Sequence, residues 1–389
     1  MKYHSYNIAL RCMCKSLLAV AIFAGCGSAA AVESANCGHS SAMTINSSPS
    51  DSQDSPIDIY NRGVACYSAG NYGDAVKCFR QAAEMGYSDA QYNLGYCYDY
   101  GRGVMQDSAE AAKWYAMAAE QGNISAQNNL AILYETGRGV EKNLAEALRW
   151  YRAAAEQGDV DAQFNLAYCY AHGIGAETDY AEAALWYRKA AVQGSVSAQC
   201  NLGLLYEDGR GVESDCVQAA LWYRAAAEKD NVNAQFNLAL LYERGKGVAQ
   251  DYDEAARWYM KAAESGNMSA QNKLARLYED GKGLLQSYAE AVKWYRKAAD
   301  QGSATAQCNL GFCYSKGYGV PMDYAEAARW FRLSAEQGLV DAQFNLGQYY
   351  ELGQGVEQNK DEATKWYRLA AKQGDKDAQR ILTEWKETW

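Results

Sequence analysis

Tryptophan stands at positions 114, 150, 186, 222, 258, 294, 330 and 366, and the interval is 36 residues every time. Only duplication of one unit produces that register. Glutamine keeps it too, at 91, 127, 163, 199, 235, 271, 307, 343 and 379, with a leucine three residues after each. A unit of this size holds two helices of about 12 to 14 residues and two turns, so the chain is expected to stack helix pairs along a line. The aromatic content fits copying, with 31 Tyr and 10 Trp beside 7 Phe and 3 Pro. The charge, 37 basic against 47 acidic residues for a net of -10, argues against a nucleic-acid partner, because counterion release needs a basic footprint.

Start and stop signals divide each unit. Before the second helix stands Asp107, Asn143, Asp179, Asp215, Asp251, Ser287, Asp323 or Asn359. Three residues later comes Glu110, Glu146, Glu182, Gln218, Glu254, Glu290, Glu326 or Glu362. That spacing predicts a capping box in every copy. The first helix is expected to open at Asp89, Ser125, Asp161, Ser197, Asn233, Ser269, Thr305 or Asp341 and to stop at paired glycines such as Gly101 and Gly103. Ala90, Leu94 and Tyr98 share one helical face, and only Gly or Ala follows the leucine, from Gly95 and Ala131 to Gly347. The Trp and Tyr columns of the second helix read as core.

Residues 87 to 376 carry Ala-Gln-x-Asn-Leu-Gly-x-x-Tyr, then Gly-x-Gly-Val, then Ala-x-x-Trp-Tyr-x-x-Ala-Ala-x-x-Gly, and resemble Sel1-like repeats of the tetratricopeptide-like superfamily. The resemblance implies an all-α fold: an α/α solenoid, a right-handed superhelix of about nine helix pairs with a C-terminal capping helix over residues 377–389. It also implies an adaptor that holds proteins together. Residues 56–86 have tetratricopeptide spacing at Gly63, Ala75, Phe79 and Ala82, lack the Gly-x-Gly turn, and read as an opening cap.

Residues 1–25, with Lys2, Arg11, Lys15, no acid and the apolar run from Leu17 to Gly25, have the order of a secretory signal peptide. Phe23-Ala24-Gly25-Cys26 resembles a bacterial lipobox, which would make an acylated Cys26 the mature N-terminus. Ordinary cleavage after Ala29 to Ala31 is the alternative and discards Cys26. The expected location is therefore the cell envelope or the outside of the cell, with a membrane involved only through a lipid anchor. Residues 26–55, rich in Ser, Asn and Asp, read as a disordered tether.

Catalytic apparatus is missing from the sequence. His4, His39 and His172 are the three histidines, and no Ser-x-x-Lys, Gly-x-Ser-x-Gly, His-Glu-x-x-His or phosphate-binding loop occurs. No cofactor and no metal site is expected. Exported Sel1-like proteins of the Cys-rich group have carried a β-lactamase or penicillin-binding label. Their cysteine columns are here Ala119, Ala155 and Ala191 with Gln127, Gln163 and Gln199, so an envelope enzyme stays an alternative by resemblance alone. Cys97, Cys169 and Cys313 share a helical column and read as small buried hydrophobes. Cys66 and Cys78 lie on facing helices of the opening unit and could form a disulfide.

The favoured function is a scaffold that binds a protein or extended peptide along a concave face lined by first helices; a secreted effector acting on proteins of a host or neighbouring cell is a further alternative. The candidate contacts are Phe164, Tyr168, Arg276, Phe344 and Gln348, in columns that vary between copies, beside an acidic edge of Asp99, Glu135, Glu207, Glu243 and Glu279.

Overall fold

The computed structural model describes residues 54–389, so the predicted signal segment, Cys26 and most of the predicted tether lie outside the described residues. Among those described there are nineteen helices and no strand. The chain divides into two units, one ending at Asn143 and one starting at Leu144. The first carries α1 (Pro56–Ser68), α2 (Tyr72–Glu84), α3 (Ser88–Tyr100), α4 (Ser108–Glu120) and α5 (Ile124–Thr136). The second carries α6 (Leu144–Glu156), α7 (Val160–His172), α8 (Tyr180–Val192), α9 (Val196–Asp208), α10 (Cys216–Ala227), α11 (Val232–Arg244) and α12 (Tyr252–Glu264). It continues with α13 (Met268–Asp280), α14 (Tyr288–Asp300), α15 (Ala304–Lys316), α16 (Tyr324–Glu336), α17 (Val340–Leu352), α18 (Lys360–Lys372) and α19 (Lys376–Glu384). Inside each unit a helix packs on the one before and the one after it, which is the arrangement of a helical solenoid.

Caps explain where these helices begin. The Asp107 carboxylate accepts from the N–H groups of Ala109 and Glu110 at 2.9 and 3.1 Å, and Asp179, Asp215, Asp251, Asp323 and Asn359 repeat the pattern. The return half of the predicted capping box is not made. Each cap's own N–H donates to a tyrosine carbonyl of the preceding helix, as from Asp107 to Tyr98 at 2.9 Å and from Asp215 to Tyr206 at 2.9 Å. The glutamate is thereby released to pair with a base one turn along, as Glu110 does with Lys113 at 2.5 Å. First helices start two residues earlier than the sequence suggested. Their caps are Asn123, Asp159, Ser195, Asn231, Asn267 and Ser303, because the glycine column at 122, 158 and 194 ends the previous helix and leaves room for the cap directly after it. Asp89, predicted as a cap, accepts instead from Asn123 Nδ2 of the next repeat at 2.9 Å.

The two glycines of each Gly-x-Gly turn do different work. Gly209 takes φ +67 as the left-handed stop of α9. Gly211 lies on the backbone of the preceding repeat, where a Cβ would stand 2.1 Å from the Tyr180 carbonyl oxygen. The same collision awaits a side chain at Gly139 against Ser108 and at Gly247 against Cys216. The opening pair α1 and α2 joins through residues 69–71 alone, a shorter turn than the 101–107 segment between α3 and α4.

Packing inside a repeat follows from the small column. At Gly203 a Cβ would meet the Tyr223 ring at 2.7 Å, so α9 and α10 touch through glycine and ring. The buried glutamines then join repeats. Gln91 Nε2 donates to the Ala83 carbonyl at 3.2 Å, and the bond recurs down to Gln343 and Ala335 at 3.2 Å. The amide oxygen of Gln91 accepts from Gln121 at 2.7 Å, as that of Gln271 does from Gln301 at 2.7 Å. Lys229 and Ser265 replace this second glutamine in two copies, and the buried Oε1 atoms of Gln199 and Gln235 have no partner there. An unsatisfied buried acceptor costs about 1 to 3 kcal/mol. Ser265→Gln should therefore stabilise the chain by about 1 kcal/mol in urea unfolding while Ser265→Ala does not; equal midpoints for both variants would contradict the assignment.

Candidate partner-binding face

The residues singled out from the sequence stand on first helices. Phe164 on α7 and Phe344 on α17 are half-buried, and their rings lean on a tyrosine of the following second helix, Tyr187 at 5.7 Å and Tyr367 at 5.5 Å between centroids. Their column therefore carries packing as well as surface, and Cys200, Phe236 and Cys308 in the same column are buried. One turn on, Tyr168 is half-buried and stacks on His172 at 4.0 Å. Arg276 on α13 is exposed, and its charge opposes the rise in the pKa values of the Tyr259 and Tyr295 hydroxyls. Gln348 on α17 is half-buried. All five thus stand in two adjoining first-helix columns, four of them half-buried and Arg276 exposed.

The acidic edge differs from expectation. Tyr223, Tyr259, Tyr295 and Tyr367 are fully buried, and their hydroxyls donate to Glu207 at 2.9 Å, Glu243 at 2.5 Å, Glu279 at 2.6 Å and Glu351 at 2.6 Å. Glu243 also receives Lys273 Nζ at 3.0 Å. Asp99 is 3% exposed; its Oδ2 accepts from the Arg138 guanidinium at 3.2 Å, and its Oδ1 lies 3.1 Å from the same nitrogen. The four glutamates serve the fold first, because a buried hydroxyl needs an acceptor. Sequence reasoning missed the pairs, of which the sequence holds only a partial trace: where the tyrosine becomes Phe331 the residue sixteen before it becomes Ser315, but Tyr187 has Ala171 at that spacing. A second ladder was also missed, in which Arg152, Arg188, Arg224, Arg296 and Arg332 donate to Tyr170, Tyr206, Tyr242, Tyr314 and Tyr350.

Of the eight described cysteines five are buried: Cys97, Cys169, Cys200, Cys308 and Cys313. Burial pushes the Cys97, Cys308 and Cys313 thiols up to about 12, which suppresses the thiolate at neutral pH. Cys66 on α1 and Cys78 on α2 are half-buried and carry no disulfide in this structure. Among the described residues no group of three or more His, Cys, Asp or Glu side chains is placed to hold a metal ion, and no helix is long and apolar enough to cross a membrane. Of the bases between turn glycines, Arg210 pairs with Asp208 at 3.0 Å and Lys282 with Asp280 at 3.1 Å, whereas Arg138 reaches back to Asp99.

Burial raises the Asp99 pKa, and Arg138 opposes the rise. A carboxyl whose folded-state pKa lies above its unfolded value costs stability once pH exceeds the folded value, and the cost disappears as pH falls below the unfolded value of about 3.9. The stability of Asp99→Asn relative to the unsubstituted chain should therefore be highest at pH 7 and should fall as pH is lowered to 4. A relative stability that rises on acidification would show the carboxylate to be net favourable.

A family model described as the Sel1 repeat matches residues 58–87, 88–123, 124–159, 160–195, 196–231, 232–267, 269–303, 304–339 and 340–375. The chain is similar to the crystal structure of a Sel1 repeat protein from Oxalobacter formigenes, with 31% identity, a TM-score of 0.63 and coverage of 88% of this chain and 97% of that one. It is similar as well to a protective antigen of uropathogenic Escherichia coli displaying an SLR fold, at 34% identity and TM-score 0.52, covering 86% of this chain and 88% of the other. A curated relative, DAP3-binding cell death enhancer 1 of Rattus norvegicus, is 43% identical over 49 residues, 13% of this chain and 10% of that protein. The match thus spans about a tenth of the curated relative's length.

Proposed function

The chain belongs to the Sel1 repeat family, whose members are protein-interaction scaffolds, and on that premise we propose that it holds a partner protein or extended peptide along the first-helix stripe. One observation carries the reading. The columns that join repeats keep Gln, Leu and Gly or Ala, while the surface column one residue beyond runs Tyr96, Ile132, Tyr168, Leu204, Leu240, Arg276, Phe312 and Gln348. Packing does not demand that variety, whereas a non-repetitive partner does. In stacks of helix pairs the first helices line the inner, concave side, and the stripe would there present aromatic and aliphatic anchors with Arg276 and Gln348 as polar contacts. Arg276→Ala combined with Gln348→Ala should weaken capture of the partner from native cell extract about tenfold without changing the helical circular dichroism. Undiminished capture would place the partner elsewhere.

The proposal includes export. The apolar run before Cys26 and the polar segment after it suit a lipid anchor with a tether, and the likeness to a protective antigen agrees with an exposed location. Mass spectrometry of native material should find an acylated N-terminal Cys26; a free terminus beyond it would remove the anchor.

A further inference from the structure

Within the second unit, four buried glutamines complete a clamp across three helices. Gln163, Gln271, Gln307 and Gln343 each donate to the last turn of the second helix before them, at 3.0 to 3.2 Å. Their amide oxygens accept from Gln193, Gln301, Gln337 and Gln373 at the end of the second helix after them, at 2.7 to 2.9 Å. The two glutamines in the middle make only half of this. Gln199 and Gln235 donate to the Ala191 and Ala227 carbonyls at 3.0 and 3.2 Å, but they face Lys229 and Ser265, and their buried Oε1 atoms have no partner. Lys229 Nζ donates to the Gly194 carbonyl at 3.2 Å, a bond that Gln373 makes to Gly338 at 3.1 Å in addition to its clamp.

A third departure falls at the same place. Asp230 takes φ +60 between α10 and α11, where the neighbouring repeats turn on Gly194, Gly266, Gly302 and Gly338. Residues with a Cβ resist that conformation. All three departures lower the cost of parting the helices at this edge. Opening brings water to two carbonyl oxygens that the closed stack leaves without a donor, and it releases a turn that glycine would hold without strain. The opposite edge keeps its contacts. Gly211 still rests on the Tyr180 carbonyl and Gly247 on the Cys216 carbonyl, and the Tyr223 and Tyr259 hydroxyls still donate to Glu207 and Glu243 at 2.9 and 2.5 Å. A stack held at one edge and loosened at the other can pivot without unfolding.

We propose that α9 to α11 form a compliant joint between two stiffer blocks, α6 to α8 and α12 to α18. The repeats pivot there on the Gly211 and Gly247 contacts, while the helix ends at 227–231 and 264–267 part and close. For the first-helix stripe proposed above, and resting on that reading, the joint has a direct consequence. Phe164 and Tyr168 stand on one block and Arg276, Phe344 and Gln348 on the other, so the pivot resets the span that a partner must match.

Double electron–electron resonance on the full chain tests the joint. Spin labels on noncanonical residues at Val192 and Glu264, near the ends of α8 and α12, span both incomplete clamps. Labels at Asp300 and Lys372, near the ends of α14 and α18, are also two repeats apart and span two complete ones; all four positions are exposed. The first pair should give the broader distance distribution. Lys229→Gln with Asp230→Gly and Ser265→Gln installs residues that neighbouring repeats already carry, so the fold should survive, and the first distribution should narrow to the width of the second. Native-state amide exchange reads the same opening without labels. Amides at 231–235 should exchange at least about tenfold faster than those at 303–307, and the triple variant should remove the difference. Equal widths in the unsubstituted chain, a width that the triple variant leaves unchanged, or equal exchange at the two sites would overturn the joint. Neither measurement uses a partner, so failure of the joint would leave the stripe standing, and undiminished capture by the Arg276→Ala, Gln348→Ala variant would leave the joint.

Discussion

The second glycine of each turn rests on a carbonyl oxygen at the start of the preceding repeat's second helix, with no room for a methyl group. This contact between two backbones is what the rest of the stack depends on. A backbone has no rotamers to adjust, so the separation between repeats is fixed wherever the contact forms. The buried glutamine can then reach the preceding helix's last carbonyls, and the tyrosine hydroxyl can find its carboxylate. The period of 36 in the sequence is the imprint of that geometry, since lengthening a turn by one residue would move the glycine off the carbonyl and strand a buried glutamine amide.

Much of this was legible beforehand because it rests on local chemistry. The tryptophan period, the Asp and Asn caps of the second helices, and the small residue opposite Tyr223 each follow from spacing within one unit. The parts that were not legible involve groups one helix or one repeat apart. Asp107 caps its helix as expected, but the carbonyl of Tyr98 takes the cap's N–H, and no spacing rule for an isolated helix contains that partner. Asp89 looked like a cap because a polar residue near a helix start has that meaning in isolation; here it receives the cap of the next repeat. The glutamates near the ends of first helices looked open to a ligand because their tyrosine partners are sixteen residues away and belong to another element. The paired change at Ser315 and Phe331 was the one trace of that bond in the sequence.

Once the joining columns are explained, the remaining variation gains meaning. An array of near-identical units would show the same face to solvent at every step, and a partner without such a repeat could not be held in one register. Arg276 and Gln348 on first helices break the uniformity without touching the contacts that hold repeats together. Residues that alter the surface and leave the stack intact are the means by which a repeat scaffold acquires a specific partner. The aromatic stripe is a mixed case, because Phe164 and Phe344 both pack on a core tyrosine and remain half-open.

The central claim is that binding is confined to places where the copies differ and absent where they agree. Amide hydrogen exchange across the whole chain, alone and with a captured partner, measures this most directly. The account predicts slowed exchange in the first helices bearing Arg276 and Gln348, with little change in second helices that keep the Glu–Lys or Glu–Arg pair. Protection spread evenly over every repeat, or concentrated on those ion-paired helices, would contradict it.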